Sequence, residues 1–158
     1  MFRQLWTSFY HAFDGLKYCL QNERNFRVHV IAAITVMGLS LFLDFSVWER
    51  LSLLFTITFV WVCEMLNTAL EATLDLITEE THPLIKIAKD VSAGAVLVSA
   101  LGSVIVALLL FFSKERCLEY LEMIRNNPKG LFLFLLISFG FAFLSYFFIR
   151  GEKKNAEE

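Results

Sequence analysis

The sequence predicts an all-α membrane protein with an N-terminal interfacial amphipathic helix, three core transmembrane helices and an additional C-terminal transmembrane helix. Hydrophobic residues make up 57% of the 158 residues, the mean hydropathy is +0.60 and 17 residues are Phe. Soluble domains contain fewer apolar and more charged side chains than this. The charged residues gather in short blocks between apolar runs, which is the pattern of a chain that crosses a bilayer several times.

Residues 2–20 form the first predicted helix. Apolar side chains recur at helical spacing from Phe2 to Leu20, while Arg3, His11 and Lys17 lie on other faces. An amphipathic helix of this kind lies in the membrane surface with its apolar face towards the acyl chains. A helix in a soluble core has the same pattern, but the rest of the chain offers no soluble core.

Four apolar segments follow this surface helix. We predict spans at about residues 28–43, 51–77, 91–113 and 130–149. An α-helix rises about 1.5 Å per residue, so about 20 apolar residues cross a hydrocarbon core of about 30 Å. Residues 1–113 form one predicted domain. Residues 114–158 form a C-terminal extension, in which a short amphipathic helix precedes the fourth span.

The distribution of positive charge predicts the orientation. A cytoplasmic N-terminus puts nine Lys and Arg residues inside and five outside, which is the better of the two orientations under the positive-inside rule. The loop between the second and third spans then faces the cytoplasm. The net charge of −2 offers no basic surface for nucleic acid, and three widely separated cysteines indicate neither a disulfide framework nor a zinc site.

One face of the second predicted span is polar. At about 100° per residue, Glu64, Asn67, Glu71 and Asp75 fall within an arc of about 80°. A carboxylate in hydrocarbon costs about 3 kcal/mol, so Glu64 is expected to have a function, and a general base for a hydroxyl is a natural one. The alternative is that these side chains hydrogen-bond neighbouring helices, which explains Asn67 taken alone equally well.

Two further segments bring charged residues to the same predicted depth. Glu23 and Arg27 precede the first span, and Lys89 and Asp90 precede the third. Several oxygen ligands suit Mg²⁺, which takes one or two protein carboxylates plus phosphate oxygens. A lysine at this level can hold phosphate, although a lysine can also simply mark the membrane edge. Because no GxxxxGK[ST] or GxGxxG motif occurs, carboxylates, metal and lysine would have to hold any nucleotide.

Three stretches within residues 9–112 resemble a known family. They are NERNFRVH, EMLNTALEATLD and HPLIKIAKDVSAGAVL, and the second is similar to the signature E-x-x-N-[ST]-A-[IL]-E-x-x-x-D. Their order and spacing resemble those of the small bacterial diacylglycerol kinases and undecaprenol kinases, which are lipid kinases of the inner membrane. Two features depart from the family: His29 stands where some members carry an acid, and the usual chain stops after its third span.

The resemblance implies transfer of the γ-phosphoryl group of MgATP to a membrane lipid hydroxyl at the cytoplasmic face, by a homotrimer with shared active sites. It implies that Glu64 is the general base and that Glu23 and Glu71 hold the metal. Asn67 and Lys89 would complete the catalytic set, by positioning groups and by contacting phosphate. Further support for the nucleotide would come from Asp75, Glu80, His82 and Asp90.

The acceptor and two competing classes remain open at this point. The stretches NERNFRVH and HPLIKIAKDVSAGAVL resemble undecaprenol kinases more than diacylglycerol kinases, which favours undecaprenol over diacylglycerol. A small proton or ion transporter would also carry intramembrane carboxylates, but residues 51–63 continue no polar path across the membrane. A non-enzymatic scaffold would need polar residues only for helix association, which does not require acids on three segments at one depth.

Overall fold

The computed structural model describes residues 2–77, 82–126, 128–129, 132, 135–136 and 139. Within these residues the regular structure is helical, without a strand, which confirms the all-α prediction. The helices are α1 (Phe2–Asn22), α2 (Arg24–Phe42), α3 (Val47–Ile77), α4 (Pro83–Phe111) and α5 (Lys114–Asn126).

Helices α3 and α4 are long and apolar enough to cross a bilayer. They contain 31 and 29 residues, and at about 1.5 Å per residue each exceeds the hydrocarbon thickness of about 30 Å. Both begin before the predicted spans at 51–77 and 91–113, because their first turns carry polar residues that an apolar window does not include. The excess length lets α3 and α4 carry polar groups at their ends.

The other predicted elements have different outcomes. Helix α1 covers the predicted surface helix at 2–20, and its location in the membrane surface stays a prediction, as does the crossing of the bilayer by α2 at about 28–43. Helix α5 contains 13 residues and begins after the predicted domain boundary at residue 113. It lies where a short amphipathic helix is predicted in the C-terminal extension. The predicted fourth span at 130–149 lies almost wholly outside the described residues.

Local interactions set the helix starts. Between α1 and α2, Glu23 has an extended backbone, with φ −98° and ψ 112°, which interrupts the helix. At the start of α3, Ser46 Oγ donates to Glu49 Oε2 (2.7 Å) and accepts from Glu49 N–H (3.3 Å), while Ser46 N–H donates to Glu49 Oε2 (2.7 Å). This is the reciprocal capping box of helix N-termini. Helix α4 starts with Pro83 after the capping residue His82.

Helix α3 is the centre of the bundle, because it packs mainly against α4 and next against α2. A buried apolar cluster formed by Leu43, Phe45, Leu53 and Phe111 closes the end of the bundle at the turn between α2 and α3. Many large apolar side chains on the outer faces are exposed, as Trp48 is to 79%. Such a continuous apolar exterior is expected where acyl chains replace water.

Candidate active site

The side chains on the polar face of α3 become more exposed towards the end of the helix. Glu64 is buried, with 2% of its surface exposed, whereas Asn67 and Glu71 are half-buried and Asp75 is exposed. The predicted helical spacing therefore holds, and the four side chains lead from the interior of the bundle to its end. One turn beyond Glu64, the buried Thr68 donates its hydroxyl proton to the Glu64 backbone carbonyl (3.0 Å).

The Glu64 carboxylate is incompletely satisfied. The charges of Glu23 and Glu71 lie close enough to repel it, and the Asn25 side chain lies near enough to interact with it. Glu64 Oε2 is buried and has no hydrogen-bond partner among the described residues. Buried carboxylate oxygens are normally bonded, and orphaned ones occur where a site awaits a ligand or a proton.

Asn67 links the polar face of α3 to α4. Its Nδ2 donates to Glu71 Oε1 (2.9 Å), which fixes the orientation of that carboxylate. The Ser92 hydroxyl lies 2.5 Å from Asn67 Oδ1 and 2.9 Å from the Lys89 carbonyl oxygen, and its single proton can be donated to one of them at a time. Asn67 is therefore held by side chains from two helices.

Lys89 and Asp75 form an ion pair between the end of α3 and the start of α4. The Lys89 side chain is 34% exposed and that of Asp75 is 65% exposed. The pair brings a positive charge to the same end of the bundle as Glu71. Lys89 and Glu71 are 18 residues apart in the sequence. A partly exposed ammonium group at this place can bind phosphate oxygens.

The remaining predicted site residues differ in how much the structure supports them. Glu23 is half-buried between α1 and α2 and its charge reaches Glu64, so it belongs with the acidic group. His82 Nδ1 accepts the Leu84 N–H (3.2 Å) and so caps α4. Asp90 is exposed on α4, and Glu80 lies outside the described residues.

Three contributors were not identified from the sequence. Asn25 and Ser92 both lie within the stretches quoted above, but an amide and a hydroxyl carry no spacing signal of their own. Cys19 is buried beside Thr68 and Glu23, and burial together with the Glu23 charge raises the pKa of its thiol. The sequence indicated only that the three cysteines form neither a disulfide framework nor a zinc site.

The acidic residues fit a metal that arrives with its own ligands. Within the described residues, no group of three or more His, Cys, Asp or Glu is arranged to hold an ion unaided. The charges of Glu23 and Glu71 nevertheless both act on the buried Glu64 carboxylate. A cation would neutralise this concentration of negative charge. Mg²⁺ commonly takes one or two protein carboxylates and completes its shell with phosphate oxygens and water.

Comparison with known proteins assigns the family. The profile of the family described as prokaryotic diacylglycerol kinase matches residues 10–111, which is more than half of the chain. An undecaprenol kinase of Bacillus subtilis is 41% identical over 111 residues, covering 70% of this chain and 90% of the relative.

Two diacylglycerol kinases are also similar. That of Synechocystis sp. is 40% identical over 103 residues, covering 65% of this chain and 59% of the relative. That of Escherichia coli K12 is 32% identical over 103 residues, covering 65% of this chain and 84% of the relative. The matched region contains every described helix except α5 and the start of α1. The chain therefore belongs to the prokaryotic diacylglycerol kinase family and is a membrane lipid kinase.

Proposed function

We propose that the chain transfers the γ-phosphoryl group of MgATP to the primary hydroxyl of undecaprenol, with Glu64 as the general base. The observation that carries this proposal is the buried Glu64 Oε2, which has no hydrogen-bond partner in the described part of the chain. A lipid hydroxyl that donates to this oxygen would satisfy it and would align the nucleophile for attack on phosphorus.

The other polar residues are proposed to handle the nucleotide. Glu23 and Glu71 hold Mg²⁺, and Asn67 keeps the Glu71 carboxylate oriented through its 2.9 Å hydrogen bond. Bound with ATP, Mg²⁺ neutralises charge on the phosphates. Lys89 binds phosphate oxygens, for which it must exchange its present partner Asp75. The supporting nucleotide residues are proposed to be Asp75, Glu80, His82 and Asp90.

Undecaprenol is favoured as the acceptor, and diacylglycerol is the alternative. The similarity to an undecaprenol kinase covers 90% of that relative at 41% identity, whereas the diacylglycerol kinase of similar identity is covered over 59% of its length. Both lipids present a primary hydroxyl at the interface, and the chemistry of Glu64 is the same for both. An assay that compares the two lipids therefore identifies the acceptor.

The assay incubates the purified protein with labelled ATP and Mg²⁺, and with undecaprenol or diacylglycerol in separate lipid vesicles. We expect labelled undecaprenyl phosphate to form at a rate at least about tenfold above that of labelled phosphatidic acid, which corresponds to about 1.4 kcal/mol of discrimination. Faster labelling of diacylglycerol would show that diacylglycerol, rather than undecaprenol, is the preferred acceptor. Labelling of neither lipid would contradict the proposed reaction.

The proposed setting is the bacterial inner membrane, with the active site at the cytoplasmic face, where ATP is present. The positive-inside count supports this orientation, because it places the loop between α3 and α4 inside. We also propose a homotrimer, the assembly expected for this family. The large apolar surfaces that a single chain leaves exposed support it, since a symmetric assembly would cover part of them.

A further inference from the structure

The C-terminal extension carries a buried arginine that the kinase chemistry does not use. Arg116 on α5 lies outside the region matched by the family, and its side chain is only 7% exposed. One guanidinium nitrogen, Nη2, donates to both carboxylate oxygens of Glu49, at 2.8 and 2.9 Å, and Nη1 donates to Glu119 Oε2 (2.7 Å). The guanidinium carbon also lies 4.2 Å from the centroid of the Phe45 ring.

These contacts join parts of the chain that are remote in sequence. Arg116 and Glu49 are 67 residues apart, and Glu49 is itself oriented by the capping hydrogen bonds from Ser46. Phe45 packs on Phe111, the last residue of α4, with ring centroids 4.8 Å apart. A buried arginine is tolerated only when carboxylates or aromatic faces replace its hydration, and here both kinds of partner are present.

The cluster lies at the opposite end of α3 from the catalytic carboxylates. Glu49 is in the first turn of α3, 15 residues before Glu64 and 26 residues before Asp75. At about 1.5 Å per residue these separations correspond to about 22 Å and about 39 Å along the helix axis. If the carboxylates face the cytoplasm, the arginine cluster faces the other side of the membrane.

We propose that Arg116 is a clamp that fastens the C-terminal extension to the turn between α2 and α3 (residues 43–46) at the outer face of the membrane. The clamp holds the outer ends of α2, α3 and α4 together, and it leaves the kinase site at the inner end untouched. The occupant of this docking surface is α5 of the same chain. The inference rests on the proposed function only for the side of the membrane on which the clamp lies.

The first test measures stability and activity separately. Arg116→Met preserves much of the apolar volume but leaves Glu49 unpaired, so we expect the thermal unfolding midpoint in detergent to fall by about 5 °C. Phosphorylation of the lipid at 25 °C should stay within about twofold of wild type. Arg125→Gln, at an exposed residue in the last turn of the same helix, is the matched control and should leave the midpoint unchanged.

A double-mutant cycle identifies the partner. Glu49→Gln should lower the thermal unfolding midpoint as Arg116→Met does. The midpoint of the double variant should be no lower than that of the less stable single variant. Additive effects, or an unchanged midpoint in Arg116→Met, would overturn the clamp. Should Arg116→Met fail to fold, Arg116→Lys, which retains charge but loses the two-oxygen contact, must show a smaller shift in the same direction.

The second test determines the side of the membrane without any kinase assay. Cys117 is exposed and adjacent to Arg116, whereas Cys19 is buried. A membrane-impermeant maleimide should label Cys117 in intact cells, and Cys117→Ser should abolish that labelling. Labelling of Cys117 only after permeabilisation would overturn the outer location. Because the unfolding midpoint and the maleimide labelling do not depend on the lipid acceptor, failure of the clamp and failure of the proposed reaction are distinguishable.

Discussion

The single residue with the greatest chemical consequence is Glu64, because it is both buried and incompletely hydrogen-bonded. Two polar neighbours accompany it: the Asn25 side chain lies near the carboxylate, and the Thr68 hydroxyl donates to the Glu64 backbone carbonyl. The surrounding acids make the position costly for the folded protein. Such costs are usually retained at functional sites rather than in cores that serve only packing.

Ser92 is predicted to position Asn67. Ser92→Ala removes the hydroxyl that lies 2.5 Å from Asn67 Oδ1, so the amide should orient Glu71 less well and kcat should fall by about tenfold. Folding should be preserved, because the change removes one oxygen from a half-buried side chain. Ser52→Ala is the control: that hydroxyl bonds only its own helix at Trp48 O. Equal kcat values for the two variants would exclude this role of Ser92.

The Cys19 thiol is predicted to ionise at a higher pH than the thiol of an exposed cysteine. Because burial and the Glu23 charge raise the pKa of its thiol, the neutral form stabilises the fold below pH about 9, and this contribution is lost as the pH rises through the higher pKa of the folded state. Alkylation with iodoacetamide, followed by peptide mass spectrometry between pH 7 and 10, should modify Cys117 first. Modification of Cys19 at the same pH as the exposed Cys117 would contradict the assignment.

At the scale of elements, α3 and α4 work as a pair. Helix α3 carries the acids and α4 supplies Lys89 and Ser92, and the two helices share the most extensive packing in the described structure. The Lys89–Asp75 ion pair is too exposed to explain much of that packing, since exposed pairs contribute about 0–1 kcal/mol. Its value is therefore expected in nucleotide binding.

The Lys89 variants test that expectation. Lys89→Met should raise the KM for ATP by at least about tenfold while the thermal unfolding midpoint changes by less than about 3 °C, because the lost contact is with phosphate rather than with the protein. Lys86→Met, one turn earlier and exposed, serves as the control and should leave the KM for ATP near wild type. A large loss of stability with an unchanged KM would assign Lys89 a structural role instead.

The sequence predicted the elements whose signals are periodic and local. The polar face of α3 could be predicted because four residues repeat at helical spacing, and burial of Glu64 followed from its depth in an apolar segment. The family resemblance was confirmed, and membership in a lipid kinase family decides for the enzyme over the transporter and scaffold hypotheses. The predicted spans did not include the first turns of α3 and α4. Hydropathy identifies the residues inside the hydrocarbon core, and a helix can extend beyond that core.

Features that depend on tertiary packing could not be predicted. Asn25 and Ser92 reach the site only because α2 and α4 pack on α3, and nothing in their own spacing indicates this. The Arg116 cluster could not be predicted either, because Glu49 and Arg116 are 67 residues apart and meet only where α5 packs at the start of α3.

At the scale of the whole molecule, the oligomer is the main prediction. A single chain leaves Asp75 exposed and Glu71 half-buried beside large apolar surfaces, which a symmetric assembly would cover. Native mass spectrometry from detergent or nanodiscs should give a mass of three chains at submicromolar concentration. The Arg116→Met variant should keep this mass, because the clamp lies within one chain. A monomer that retains full lipid phosphorylation would contradict the trimer.

The most direct measurement of the central claim is the rate at which Glu64→Gln phosphorylates the lipid in the presence of saturating MgATP. The amide keeps the shape of the side chain but cannot accept the hydroxyl proton, so kcat should fall by about 10²–10⁴-fold while ATP affinity stays within about threefold. Glu122→Gln on the exposed face of α5 controls for the chemical change. A folded Glu64→Gln variant that turns over at the wild-type rate would contradict the account.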